Sequence, residues 1–550
     1  MTRWIGGLVI LLALGAAAWL IWGAHDDGVD EARLAAHIAV LASDAFEGRA
    51  PATQGEAQTI TYIADQFRAM GVQPALGDSY FQAVPMVEIT AQEVPPMTLA
   101  IAQAEPISLA YGPEVMIWTK RVVERVAVEA SDMVFVGYGI VAPDYGWNDY
   151  AGIDVHGKTV VILVNDPGFA TGDAGLFDGR AMTYYGRWTY KYEEAARQGA
   201  AAALIIHQTA PAAYPWGVVK GSWSGPQLDL AHADGNEGRA AVEGWISEDA
   251  AHRLFAAAGL DFAALQEAAA ARGFAAVPMG AQMSVAFANK IRRSESANVI
   301  GIVEGRERPE EAVLYLAHWD HLGRGPADAR GDDIYNGAVD NASGVAGLLE
   351  IARQFAAKPA RRSVVFIATT GEESGLLGSA YYAENPIVPL RQSVAGINMD
   401  SLGVIGPVRD VVVIGHGKSE LEAILERHAK KQGRTVVSEP TPERGYFYRS
   451  DHFNLAKVGV PVLYAEGGLD SIAKGRDWGR AQMDHYTAEH YHQPSDEVDP
   501  DWDLRGAVED LNLLTQVGRE LAEGTAWPNW HPQAEFRAAR DTLRAATTAP

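Results

Sequence analysis

The sequence predicts an α/β chain: a doubly wound, mostly parallel sheet, interrupted by a β-rich module and preceded by an apolar N-terminal segment. Three observations predict it. From about residue 297, continuous Val/Ile/Leu runs alternate with amphipathic helical segments, the pattern of strands covered on both faces. Between about 130 and 285 the texture changes to short β-runs separated by turn-rich loops. Near the start, Ile5 to Ala24 carries no charge.

Those uncharged residues, at ~1.5 Å each in a helix, span ~30 Å, the thickness of a bilayer's hydrocarbon core. A cut after Ala18 would use the small residues Ala16 to Ala18 but leave a chain beginning WLIW, so an uncleaved anchor over 1–24 is preferred to a cleaved signal peptide. Arg3 precedes the span and Asp26, Asp27, Asp30 and Glu31 follow it, which places the body of the chain on the non-cytoplasmic side, periplasmic or extracellular; cleavage would leave it secreted.

Residues 32–125 read as the first part of the main domain. EARLAAHIAVLAS has helical periodicity, DAFEGRAPATQG is turn-rich, and EAQTITYIADQFRAMG is amphipathic and stops at Gly71. The insert, 126–290, carries the strands MVFVGYGIV, KTVVILVND, AALIIHQ and QMSVAFA and one helix, YEEAARQG. The main domain resumes over 291–525. Its predicted strands are NVIGIVEG, AVLYLAH, SVVFIATT, GINMD, VVVIG and VPVLYAEGG, with helices SGVAGLLEIARQFAA, GLLGSAYYAEN and SELEAILERHAKKQG between them. Residues 526–550 read as a short charged tail.

Composition narrows the chemistry. With 550 residues and 48% hydrophobic content the chain is globular and long enough for two or three domains. A net charge of −25 repels phosphate backbones and anionic headgroups, which argues against nucleic acid as a partner. No cysteine is present, so disulfides, zinc fingers, iron–sulfur clusters and thiol nucleophiles are excluded, and His, Asp and Glu remain as the strong metal ligands.

In doubly wound sheets ligands bind at the carboxyl ends of strands. Those ends carry His318-Trp319-Asp320, Glu372-Glu373 and Asp400; a loop before a helix carries Asp340-Asn341, and a late loop carries Tyr491-His492. Each alone fits a solvated loop residue or a helix-end acid. Together they form a set of imidazoles and carboxylates that suits zinc or a similar metal, with enough acids to serve a pair of ions and adjacent glutamates able to divide between metal and base.

AHWDHLG, DDIYNGAVDNASGVA, TTGEESGLLGS, NMDSLG and HYHQPSDEVD occur in the order found in the M28 family of dinuclear zinc exopeptidases, which the chain resembles over about 32–85 and 290–525. The resemblance implies that His318 and Asp400 hold one Zn2+, Glu373 and His492 the other, and that Asp340 bridges them. It further implies Glu372 as general base, Asp320 as the partner orienting His318, Tyr491 as a group polarising the scissile carbonyl, and a cis Asp340–Asn341 bond. Val339 departs from the acid that many relatives carry before the bridging residue. The insert resembles a protease-associated (PA) domain, a lid or a passive spacer. The expected activity is aminopeptidase action on peptide substrates, because too little chain follows Asp499 for the helical domain of the family's carboxypeptidases. Alternatives on the same scaffold are a carboxypeptidase, another amide hydrolase or a glutaminyl cyclase; a receptor-like binding protein is the alternative of another class. The sequence leaves the oligomeric state open.

Other motifs carry less. Gly152-IDVH-Gly157-Lys158-Thr159 has the letters of a phosphate-binding loop but runs into a strand rather than a helix. Ser450-Asp451-His452 cannot assemble a triad from three consecutive residues. His321 reads as loop polarity, and Tyr184, Tyr185, Trp188, Tyr190 and Tyr192 as packing between the two domains rather than a substrate channel.

Overall fold

The computed structural model describes residues 28–102 and 104–545; the apolar run Ile5 to Ala24 lies outside them, and with it both readings of the N-terminus. No helix among the described residues is long and apolar enough to cross a membrane.

Helix α1 (Glu31–Leu41) starts at Asp30, whose side chain accepts the Arg33 N–H, and buries Leu34, Ile38 and Leu41. Helix α2 (Gln54–Met70) is capped by Thr53 and ends at Gly71, whose φ of 79° is the left-handed stop that the glycine predicted. Strand β1 (Phe81–Gln92) then leads out of the main domain.

The insert is a small α/β unit. Its strands β2 (Arg125–Phe135), β3 (Thr159–Leu163), β4 (Ala202–His207) and β5 (Val242–Ser247) pair in parallel in that order, with helix α3 (Trp188–Arg197) between β3 and β4. Alternate residues of β3 serve opposite faces: Val161 and Leu163 one core, Val160 and Ile162 another. Two expectations need correction. Met97, Leu99, Leu109, Val115 and Ile117 belong to the insert's core, so its boundary lies upstream of 126. The insert also holds further helices, including Glu248–Ala257 and Phe262–Ala269, beside the single one predicted.

Strand β6 (Val277–Val303) joins the two units. Its early residues pair antiparallel with β2, its middle with β1, and Val299 to Val303 with β8 of the main sheet. There, β7 (Arg308–His318) leads through helix α4 (Gly344–Ala357) to β8 (Arg362–Thr369); β9 (Ser393–Asn398) and β10 (Val462–Gly467) follow. Strands β8, β7, β9 and β10 lie parallel in that spatial order. The flanks are antiparallel: β6 on one side, Asp410–Val413 on the other. Every residue of β8 and β9 is buried, which is why these strands read as unbroken apolar runs. Tyr315 and Ala317 of β7 face the core under α1, α2 and α4, while Leu314 and Leu316 face the opposite one.

Helix α5 (Arg476–Glu489) lies mostly exposed, and α6 (Arg505–Glu523) packs an apolar face back on the sheet. The described part of the predicted tail, residues 526–545, packs on the main domain: Trp530 is fully buried, Phe536 nearly so, and both join the second core of the main sheet.

Candidate metal centre

The fold brings the predicted residues to one edge of the main sheet. His318 is the last residue of β7, Glu372 and Glu373 follow β8, Asp400 follows β9, Asp340 precedes α4, and His492 follows α5. His318 Nε2 lies 3.3 Å from Asp340 Oδ1 and 3.3 Å from Asp400 Oδ1. His492 Nε2 lies 3.2 Å from Asp340 Oδ2 and 3.1 Å from Glu373 Oε2. The two oxygens of one carboxylate therefore face two different donor sets.

Several interactions hold the donors in place. The Asp340–Asn341 peptide bond is cis, as the motif led one to expect. Asp496 accepts the main-chain N–H groups of Val339 and Asp340, each at 3.1 Å, and the Tyr486 hydroxyl at 3.2 Å. Asp400 Oδ2 accepts the Ser450 hydroxyl at 2.6 Å, and Ser450 itself accepts the Asn398 amide. Ser450 is thus tied to a carboxylate of the centre, and Asp451 accepts the hydroxyls of Thr369 and Ser379, so neither has triad geometry. His318 Nδ1 faces the Asp320 main-chain oxygen at 3.1 Å, with the Asp320 carboxylate 3.9 Å away. That carboxylate accepts the Glu372 N–H at 3.1 Å, so Asp320 sits against both His318 and the Glu372 main chain.

Three residues at the centre went unrecognised or were misread in the sequence. His321 is buried, not a polar loop residue, and its Nδ1 meets Glu373 Oε1 at 2.6 Å. Asp496 belongs to a quoted motif but received no role. Arg49 is 1% exposed and donates to the carbonyls of Trp319, Leu41, Asn336 and Gly337, binding the turn after α1 to the loops that carry His318 and Asp340.

Charge is concentrated and shared. Burial opposes the Asp340 carboxylate, yet hydrogen bonds from His318 and His492 hold it well below the usual range. Burial also opposes charge on His318, but Glu372 and Asp400 raise its pKa well above the ordinary value. The same contest at His492, with Glu373 and Asp340 facing it, lifts it to about 10. Glu373 falls to about 2: burial and Asp340 push it up, and His492 and His321 outweigh them. Its neighbour goes the other way, because burial, reinforced by Glu373 and Asp400 and opposed by His318, drives Glu372 well above the glutamate value. Burial lifts Asp320 to about 7. Adjacent glutamates thus differ sharply in proton affinity, the separation that distinguishes a fixed anion from a proton carrier.

The donors fit a metal site. Ligand atoms of His318, Asp340 and Asp400 lie within 4.8 Å of one another, as do those of His318, Glu372 and Glu373 and of His321, Asp340 and Glu373. His321 Nε2 and Asp320 Oδ2 are buried without a hydrogen-bond partner, and His492 Nε2 faces the carboxylates of Asp340 and Glu373, a set of lone pairs that a cation would satisfy. Tyr491 stands at the rim, 45% exposed, with its ring stacked on His492 at 3.9 Å between centroids. Thr159 opens β3, so the phosphate-loop letters end in a strand. Tyr184 packs on Phe453 of the main domain at 5.2 Å between centroids, while Tyr190 and Tyr192 lie in the insert's own cores.

Comparison with known proteins shows what this edge is similar to. Residues 298–515 match the model of Peptidase family M28. The chain is 39% identical over 237 residues to a probable zinc metalloprotease of Pyrenophora tritici-repentis, covering 42% of this chain and 51% of that protein. It is 33% identical over 218 residues to aminopeptidase YwaD of Bacillus subtilis, covering 37% and 40% respectively. Among solved structures, an aminopeptidase from Aneurinibacillus sp. strain AM-1 aligns over 91% of this chain and 95% of that one, at 19% identity and a TM-score of 0.49. The matches span about half or less of the length of these curated relatives.

Proposed function

We propose that the Peptidase family M28 domain at residues 298–515 is the catalytic half of a zinc exopeptidase that removes N-terminal residues from peptides. One observation carries the reading: the Asp340 carboxylate turns its two oxygens toward His318 and Asp400 on one side and His492 and Glu373 on the other. On this assignment His318 and Asp400 would hold one zinc, Glu373 and His492 a second, and Asp340 both. When bound, such ions lower the pKa of water and polarise a carbonyl.

The chain's own residues supply the proton handling and the positioning. Glu372, whose proton affinity burial raises, takes a proton from the attacking water and returns it to the leaving nitrogen. Asp320 keeps the His318 ring and the Glu372 main chain in register. Tyr491, beside His492, is assigned to the scissile carbonyl. A cationic α-amine suits a cleft lined by Glu373 and Asp400.

Around this centre we assign the insert as a protease-associated-like element beside the cleft and residues 1–24 as a membrane anchor that holds the catalytic domain outside the cytoplasm. The test compares an unblocked aminoacyl amide with its N-acetylated form, using protein loaded with zinc. Hydrolysis of the free-amine compound alone is expected. Equal rates, or cleavage that depends on a free C-terminus whatever the N-terminus, would overturn the aminopeptidase reading.

A further inference from the structure

The insert carries a cavity of its own, of about 510 Å³. Strands β2, β3 and β4 run parallel, so their carboxyl ends share one edge of the insert's sheet, the edge at which open α/β sheets take ligands. The cavity lies there. Tyr138 comes from the loop after β2, Val164 and Asp166 from the end of β3, and Gln208 and Pro211 from the end of β4. Gln266, Glu267 and Ala270, on or just after the helix Phe262–Ala269, add to the lining. Every lining residue belongs to the insert and none to the metal centre. The volume falls within the ~300–1,000 Å³ of small-molecule sites, where apolar walls carry a few polar groups.

The polar groups of the lining are acceptors. Asp166 is fully buried; its carboxylate receives the Phe169 and Thr183 N–H groups and the Thr183 hydroxyl, but no ion pair among the described residues. Burial, opposed by Thr183 and then by Lys191, lifts its pKa to about 6, so its charge is only partly offset. Glu267 is exposed on its helix, and its side chain forms no ion pair or hydrogen bond among the described residues. Glu248 Oε1 accepts the Gln208 amide at 2.8 Å, and Gln208 Oε1 accepts the Gln266 amide at 3.0 Å. The Glu248 carboxylate, which only accepts, thereby orients both amides and leaves Gln266 Oε1 without a donor. Tyr138 is 6% exposed, and its hydroxyl has no hydrogen-bond partner among the described residues. No basic side chain lines the cavity. Outside the lining, Lys191 donates to the Tyr185 carbonyl at 2.6 Å, and Arg180 lies over the Phe169 ring at 5.4 Å.

We propose that this cavity is a second binding site, separate from the metal centre, for the ammonium group of a small organic amine with an apolar body. An ammonium offers three donors and no acceptor, the complement of a lining whose free polar atoms accept. A carboxylate would meet Asp166 and Glu267 at like charge, and a neutral alcohol would leave their charge unanswered. Phe169, Val164 and Pro211 supply the apolar wall for the rest of the ligand. The insert is then a binding module in its own right, and this does not depend on the peptidase reading. A free amine and the N-terminus of a short peptide share the required chemistry.

Metal-free full-length protein is titrated calorimetrically with phenethylamine, 2-phenylethanol, phenylacetate and phenylalanyl-glycine amide. Phenethylamine should bind about ten- to a hundredfold more tightly than 2-phenylethanol, the span of a charge-assisted hydrogen bond. Phenylacetate should not bind. Tighter binding of phenethylamine than of the peptide identifies the ligand as a free amine, and the reverse order as a peptide N-terminus. Glu267→Gln should weaken amine binding about tenfold and Tyr138→Phe about threefold to tenfold. Ala270→Trp, which fills the cavity, should abolish it, whereas Glu373→Gln at the metal centre should leave it unchanged. Should Ala270→Trp fail to fold, Glu267→Gln, at an exposed position, and Tyr138→Phe, which removes one oxygen, decide; unchanged amine affinity in both then refutes the proposal. Equal wild-type affinities for amine and alcohol, amine binding that survives Ala270→Trp, or its loss in Glu373→Gln would equally overturn the site.

Discussion

Replacing Arg49 with methionine tests how far the metal centre depends on a residue that touches no proposed ligand side chain. The guanidinium donates to Trp319 O at 2.9 Å, Leu41 O at 2.8 Å, Asn336 O at 2.5 Å and Gly337 O at 2.8 Å. Each hydrogen bond to a charged group contributes ~1.5–3 kcal/mol net, and a carbonyl left buried without a donor costs more. Against this, methionine relieves the burial of the cation, the main reason the Arg49 pKa falls to about 10, which offsets about 3 kcal/mol. Both side chains would occupy the same backbone, whose φ is 54°, so backbone conformation cancels from the comparison. The net expectation is a loss of about 3–9 kcal/mol, its lower part matching the ~3–5 kcal/mol seen when a buried charge pair is broken. Trp319 sits between His318 and Asp320, and Gly337 shortly before Asp340, so both donor loops should loosen. Urea unfolding of the metal-free protein measures the stability loss, and a zinc titration of the folded fraction should show weaker binding. Arg49→Lys should fall between the two, since one ammonium cannot reach four carbonyls in fixed directions. A methionine variant within about 1 kcal/mol of wild type, with unchanged zinc affinity, would refute the idea that Arg49 ties the two loops together.

Glu372→Gln should retain zinc and lose turnover by ~10²–10⁴-fold, the scale of removing an acid–base group, whereas Glu373→Gln should lose zinc; kinetics with elemental analysis on both variants checks this, and a reversed outcome refutes the assignment. Purified protein should take up zinc to a limit of two ions per chain by elemental analysis, and saturation at one under excess zinc would remove the bridging role of Asp340. Stability should also fall as pH drops from about 6.5 toward 4, because burial holds His37 at about 4, so the unfolded chain takes up a proton that the folded chain refuses. The contribution is complete above pH 6.5 and amounts to about 3 kcal/mol once lost. His37→Gln, which keeps a partner for the Tyr62 hydroxyl, should show a shallower decline in the urea midpoint over that window. His452, lowered by burial to about 3, should behave alike, and parallel curves for wild type and the His37 variant would contradict the argument.

The sequence made the main sheet and the donors visible for one reason: fully buried parallel strands leave uninterrupted apolar runs, and the donors stand where those runs stop. His318, Glu372, Glu373 and Asp400 could be found this way. The supporting residues could not. Arg49 acts on main-chain carbonyls far along the chain, so its surroundings in a turn-rich, polar segment resemble those of an exposed residue. His321 was misread for a related reason, since only the return of the chain after β8 brings Glu373 to its ring. The insert's upstream boundary was missed because β1 and β6 run on without a break from one unit into the other, and the tail because the apolar anchors Trp530 and Phe536 are sparse among charged neighbours.

Strand β6 itself has a mechanical consequence. Its 27 residues would reach ~90 Å fully extended, and bulges between Pro278 and Gln282 and between Met283 and Val285 let it turn while it still serves both sheets. A domain attached by two loops swings on hinges; a domain sharing a girder can only flex by torsion. Relative movement of insert and peptidase would therefore be small in angle, and stiff. Strain applied to the insert would be felt in the ladder that ends at Val299 and Ala368, three residues before Gly371. The same girder makes the two halves fail together, so heating should melt them as one cooperative unit rather than release the insert first.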